Sequence, residues 1–340
     1  MAAFFGWGIG LSFLQWGAER SAVLLWLTAR LAEALAFGLG SLVDLPLKVD
    51  GSVVTLYDWS QEVTPNCFGL AAVTFYVAAV LATPAPWRAR ARGIGLGLLA
   101  ILLANAARLF VLSVFFAYAW FAFGFVHIPI WGTVVPLFLV SVWGLWVVRD
   151  LPVLPRFPGK LLGRVALLAA PLLAVWYVVL DEYVVMLVLG INAVLTTLGV
   201  PIETLRLASA ELFRYVDVGV PGGGFRIEVA AQTLNVVPCL ALILASPLAL
   251  GRRALLGVYA LATLVALHAV GTATVMVLGW SARPLVGPFQ VVNDFVSLAA
   301  GPSLWLLLAR PFAPPLTDAP HPAPATARAR RARPAARRVQ

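Results

Sequence analysis

The sequence predicts an all-α transmembrane protein of about eight spanning helices, arranged as two parallel four-span halves. Three observations carry that reading. Of the 340 residues, 61% are hydrophobic and only 11% are charged, where a soluble domain carries about 25% charged residues. Apolar runs of span length recur along the whole chain, and about 20 apolar residues cross a bilayer as helix. The runs are continuous and do not alternate with period two, which favours spanning helices over a barrel.

The first run, from Ala3 to Trp16, lacks a basic leader and a small-residue cleavage site, so it reads as a span and not a signal. Spans are expected at 3–17, 67–83, 93–118, 128–148, 163–180, 238–250, 254–279 and 288–309. Segments 21–43 and 183–199 are also apolar and are read as interfacial helices, with both as full spans the alternative. Segments 44–66 and 200–237 mix Val, Ile and Gly with polar residues, the composition of short extended pieces outside the membrane. The tail from Pro311 is rich in Pro, Ala and Arg and cannot bury a core, so it is expected to be disordered. The organisation is then 1–150 for a first membrane half, 151–310 for a second, and 311–340 for a basic tail.

The net charge of +9 sits mainly in short loops and in the tail. The loop Trp87-Arg88-Ala89-Arg90-Ala91-Arg92, the stretch from Arg149 to Arg164, the pair Arg252 and Arg253, and the tail fall on one side if the spans alternate. The positive-inside rule makes that side cytoplasmic, with both termini there and the protein in the inner membrane. Topology accounts for this charge without nucleic-acid binding. The tail reads first as a solvated segment that fixes orientation, with contact between its arginines and anionic membrane lipid the alternative. The outer side receives 18–66, 119–127, 181–237 and 280–287.

The chain runs one pattern twice. Pro65-Asn66-Cys67 opens a span in the first half, and Val237-Pro238-Cys239 opens one in the second. Each such span leads through a basic turn into a long span, an outer loop and a returning span.

Few residues here can do chemistry, because there are only 2 cysteines and 3 histidines. Arg108 lies well inside a long apolar run, where an arginine costs about 2.5 kcal/mol or more and calls for a partner or a wet cavity. Asn105, three residues earlier, shares its helix face. Cys67 begins a span, so its sulfur sits near the positive end of a helix dipole, which favours thiolate. His127 precedes Pro129 at the outer mouth of the next span. Taken singly, these are an ordinary buried cysteine, a snorkelling arginine and an interfacial histidine. Together they come from three consecutive spans near one leaflet. Thiol, imidazole and guanidinium form a complete acyl-transfer set that needs neither cofactor nor metal ion.

The arrangement Cys67-Phe68-Gly69-Leu70, Asn105-Ala106-Ala107-Arg108 and His127 resembles the exosortase and archaeosortase family. The spacings, 41 residues from Cys67 to Arg108 and 19 from Arg108 to His127, are similar to that family's. The resemblance covers roughly residues 20–150. It implies that Cys67, Arg108 and His127 are catalytic, with Asn105 and Gly69 in support. It also implies a membrane cysteine protease or transpeptidase acting on exported proteins with C-terminal sorting signals: a short motif, one transmembrane helix and a basic end. Water as acceptor gives a protease, and an amine-bearing envelope molecule gives a transpeptidase. Phe68 departs from the small residue usual after the family's cysteine. The second half keeps Cys239 but has His268 inside its long span in place of an arginine, so both are read as structural. The rival readings are a transporter or channel built from the two halves, and an inactive homologue that binds sorting helices without cutting them.

Overall fold

Apolar runs fold as helix here because a helix satisfies its own backbone where water is scarce. The computed structural model describes residues 1–42, 47–56, 59–118, 130–151, 159–200, 202–210, 213–220, 223–228, 233, 235–281 and 283–309. The tail expected to be disordered, 311–340, lies outside these residues.

Helix α1 (Ala2–Ala18) stops at Glu19 and Arg20, and α2 (Ala22–Leu42) starts afresh. Ser21 caps the new helix, its Oγ accepting from the Leu24 amide at 3.2 Å. A three-stranded antiparallel meander follows: β1 (Leu47–Asp50), β2 (Val53–Leu56) and β3 (Trp59–Glu62). A 3-10 turn, Pro65–Phe68, leads into α3 (Leu70–Ala82), then α4 (Trp87–Tyr118) and α5 (Trp131–Asp150). The second half begins with one helix of 39 residues, α6 (Gly159–Thr197). A second antiparallel meander follows: β4 (Thr204–Ala210), β5 (Phe213–Val220) and β6 (Gly223–Glu228). The chain ends in α7 (Val236–Ala245), α8 (Leu250–Ser281) and α9 (Val286–Ala309).

The internal repeat is therefore visible as element order: helix, three-stranded meander, short helix, long helix, returning helix. Helices α4 and α8 even share a length of 32 residues. The extended segments expected outside the membrane are the two meanders. In the second, Asp217 and Arg226 face each other across β5 and β6 and form a two-point ion pair at 2.6 and 2.9 Å. The hydrogen bond from Arg226 holds the Asp217 carboxyl below its ordinary pKa.

The chain is an all-α transmembrane protein in its bulk, with a corrected set of spans. Among the described helices, α2, α4, α5, α6, α8 and α9 are long and apolar enough to cross a membrane. The expected spans at 67–83 and 238–250 are instead the short helices α3 and α7, of 13 and 10 residues. At 1.5 Å per residue they reach only about 20 and 15 Å, against a hydrocarbon core of about 30 Å. Both stop where a proline is next: Thr83 before Pro84 and Ser246 before Pro247 turn extended, with ψ of 130° and 147°. The segment 21–43, expected to be interfacial, is α2 and has span length. It packs on α4 and the first meander, and no principal packing pair joins it to α1, so the two do not form a hairpin. The expected span 163–180 and interfacial helix 183–199 are one helix, α6. Tyr183, Leu187, Ile191 and Leu195 recur every four residues and bury one face of it in the second-half core.

The halves share a core. Phe295 and Ala299 of α9 pack with Phe4, Phe75, Tyr76 and Trp146. Helix α3 lies close against α4 because Gly97 leaves room for the Tyr76 ring, whose hydroxyl donates to the Gly93 carbonyl at 3.0 Å. A Cβ at Gly97 would stand 2.0 Å from a Tyr76 ring carbon, whereas one at Gly95 would meet nothing within 4 Å. Gly97→Ala is thus expected to lower the thermal unfolding midpoint in detergent, by overpacking worth about 1–3 kcal/mol. Gly95→Ala should hold or raise it, since alanine is the better helix former by about 1 kcal/mol. Equal effects at the two positions would mean that the α3–α4 contact is not tight.

Candidate active site

The site is built where the first meander hands the chain to α3. Val63 closes the meander, its amide donating to the Ser52 carbonyl at 2.8 Å. Thr64 then starts the 3-10 turn, and the Cys67 amide donates back to the Thr64 carbonyl at 2.9 Å. Gly69 follows with φ +70°, a left-handed conformation that a Cβ would penalise. That residue reverses the chain and starts α3. A Cβ on it would also press on the Asn105 carboxamide at 3.4 Å.

Asn105 is the clamp of the turn. Its Nδ2 donates to the Cys67 carbonyl, which ties α4 to the residue that carries the thiol. The thiol itself is free and half-buried, with Sγ 3.6 Å from Thr64 Oγ1. Leu35 and Ala32 of α2 pack with Val63 and Leu109 beside it, so α2 forms one wall of the site. Ser113, farther along α4, donates to Gln61 of β3 at 3.5 Å, a second tie between meander and helix.

Arg108 lies one turn beyond Asn105 and close enough to Cys67 for their charges to interact. Its Nε is enclosed and has no hydrogen-bond partner among the described residues. Both Asn105 and Arg108 line a cavity of about 290 Å³ between α4 and α5, whose other walls are apolar apart from Trp131. Trp131 Nε1 is likewise enclosed and unpartnered among the described residues. Counted from Arg92 at the basic start of α4, Arg108 is roughly 24 Å along the helix, about four-fifths of a hydrocarbon core.

The structure thus brings Cys67, Gly69, Asn105 and Arg108 together. His127 lies outside the described residues. Sequence reasoning missed Thr64 beside the thiol, although a threonine three residues before a cysteine in a Pro-containing turn is a local signal for such a contact. It also missed α2 as a wall, because that role depends on packing and not on any motif.

Residues 9–147 match the family described as transmembrane exosortase (EpsH). Over these residues the chain is similar to the transmembrane exosortase family. The matched region runs from within α1 to near the end of α5 and so contains the meander, Cys67, Asn105, Arg108 and His127. The described helices of span length agree with the transmembrane character of that family. No curated protein and no solved structure matches the chain.

Beyond the exosortase match, the second half has different surroundings at its corresponding positions. Cys239 is fully buried in α7 and packs against Gly301. Asn235 reaches the Ser297 carbonyl of α9 and not a cysteine carbonyl. His268 is buried, with Nδ1 2.7 Å from the Tyr183 hydroxyl.

Proposed function

We propose that the protein cleaves C-terminal sorting signals from exported proteins, with Cys67 as nucleophile, as a protease or transpeptidase. The observation that carries this reading is the Asn105 clamp, which holds Cys67 beside Arg108 at a cavity with unpaired donors. The Cys67 thiolate would attack a backbone carbonyl of the substrate. Arg108 would take up the negative charge that grows on the carbonyl oxygen, where a guanidinium is effective because water is excluded. The C–N bond then breaks, and the leaving amine takes a proton from the His127 imidazolium. The resulting thioester is attacked by water or by an amine of an envelope molecule, whose proton goes to His127 as the Cys67 thiolate is released.

In this reading, the active site faces outward from the inner membrane and both termini are cytoplasmic. A single cysteine at Ser52, in the turn between β1 and β2, should react with an impermeant maleimide in whole cells, and one at Thr326 only after permeabilisation. The reverse pattern would put the site on the cytoplasmic side. The function is tested by co-expressing a tagged protein with a sorting tail encoded in the same genome and following its size on a gel. His127→Ala should slow that cleavage by about 10²–10⁴-fold, the share of general acid–base catalysis. A variant that cleaves at the parental rate would remove His127 from the mechanism.

A further inference from the structure

A second and larger cavity, about 720 Å³, opens between α5 and the first half of α6. Resting on the reading that Cys67 acts on a membrane-anchored substrate, we infer that this groove seats the substrate's transmembrane helix.

Four observations support that occupant. The groove is continuous in its wall with the candidate active site, since Val134 and Phe138 of α5 line both cavities. One side of α5 therefore faces Arg108 and the other faces the groove. The opposite wall carries Ala166, Ala170 and Ala174, four residues apart on one face of α6. Small residues at that spacing let another helix backbone come close, which is how helices associate where lipid offers no hydrophobic drive. The groove is also apolar and runs along both helices: its α5 wall extends from Ile130 to Ser141 and its α6 wall from Leu162 to Ala174. That is roughly 16–18 Å of helix, over half the hydrocarbon thickness.

The fourth observation fixes the direction of the guest. Thr133, only 3% exposed, lines the groove, and its Oγ1 has no hydrogen-bond partner among the described residues. An acyl chain offers the Thr133 hydroxyl no hydrogen bond. The first turn of a helix does satisfy such a group, since it carries four amides with no intrahelical acceptor. Thr133 lies at the end of α5 where Trp131 lines the Arg108 cavity. A guest helix whose N-terminus meets Thr133 thus presents the residues just before it to Arg108 and Cys67. The cut would fall immediately ahead of the transmembrane helix, and the groove would set the length of the spacer between motif and helix.

The test uses full-length protein with Cys67→Ala, so that substrate is held and not consumed. A photo-crosslinking residue, p-benzoylphenylalanine, is placed at Ala170 or at Leu167, which points away and is 77% exposed. The probe is a tagged exported reporter ending in a sorting tail from the same genome. An adduct with the reporter from position 170 and not from 167 is the expected result. In the enzyme with Cys67 intact, Ala170→Leu should lower reporter cleavage about tenfold while leaving alkylation of Cys67 by a small maleimide unchanged. Adducts from both positions or from neither, while the parent enzyme cleaves the reporter, would overturn the groove and leave the proposed function standing. Adducts from 170 without any cleavage by the parent would keep the groove as a helix site and overturn the protease reading. Adducts with a second copy of this chain or with lipid alone would also overturn the assignment.

Discussion

Cys67→Ala is expected to abolish cleavage of a co-expressed sorting-tail protein, a loss on the order of 10³-fold or more, as when a covalent nucleophile is removed. The fold should survive it. The side chain is half-buried in a turn held by its backbone, through Asn105 at its carbonyl and Thr64 at its amide, and neither bond needs the sulfur. Cys67→Ser should fail nearly as badly, because a hydroxyl is a far weaker nucleophile than a thiol where no strong base activates it. Cys239→Ala is the control. That thiol lies in a packed core beside Gly301, so its loss should cost some stability and leave cleavage intact. The readout is the gel shift of the tagged reporter, with thermal unfolding of each purified variant. If Cys239→Ala stops cleavage and Cys67→Ala does not, the nucleophile is in the other half.

Much of the site was legible because its signals are local. Asn105 and Arg108 share a helix face by spacing alone, and a cysteine that opens an apolar run must sit at a helix start. The two meanders were legible as breaks in hydropathy rich in Val and Gly. What escaped was set by packing or by backbone geometry. Asn105 was expected in support of the site, but the form of that support, its amide donating to the Cys67 carbonyl, depends on how the turn packs against α4 and has no local signal. The acidic pair Asp181 and Glu182 looked like the end of a span, but the apolar face of α6 continues past it in steps of four, and no Gly or Pro interrupts it there. At Ser246-Pro247 the opposite happened. Hydropathy runs on through the proline while the helix cannot, so an expected span became a short helix that ends inside the apolar run.

Arg108 offers a prediction in which stability and activity move in opposite directions. Its guanidinium sits deep within the span-length helix α4, beside a free thiol, with an enclosed Nε that has no hydrogen-bond partner among the described residues. A cation held there costs the fold about 2.5 kcal/mol or more. An arginine kept for structure would offset that cost with a satisfied fork of hydrogen bonds, and removing it would unsettle the fold. An arginine kept for chemistry leaves its donors aimed at a cavity and waits for the oxyanion. Arg108→Met should therefore raise the thermal midpoint, or at least hold it, as replacing a poorly satisfied buried ion with an apolar side chain often does. Cleavage should fall by about 10²–10³-fold, the usual cost of losing an oxyanion donor. Arg108→Lys should restore little of it, since an ammonium cannot offer two parallel donors in a plane. Adding guanidinium to an Arg108→Gly variant should recover part of the rate, because the cavity of about 290 Å³ lined by this residue has room for the ion. A midpoint that drops by several degrees while cleavage persists would make Arg108 a structural residue and leave the oxyanion without its partner.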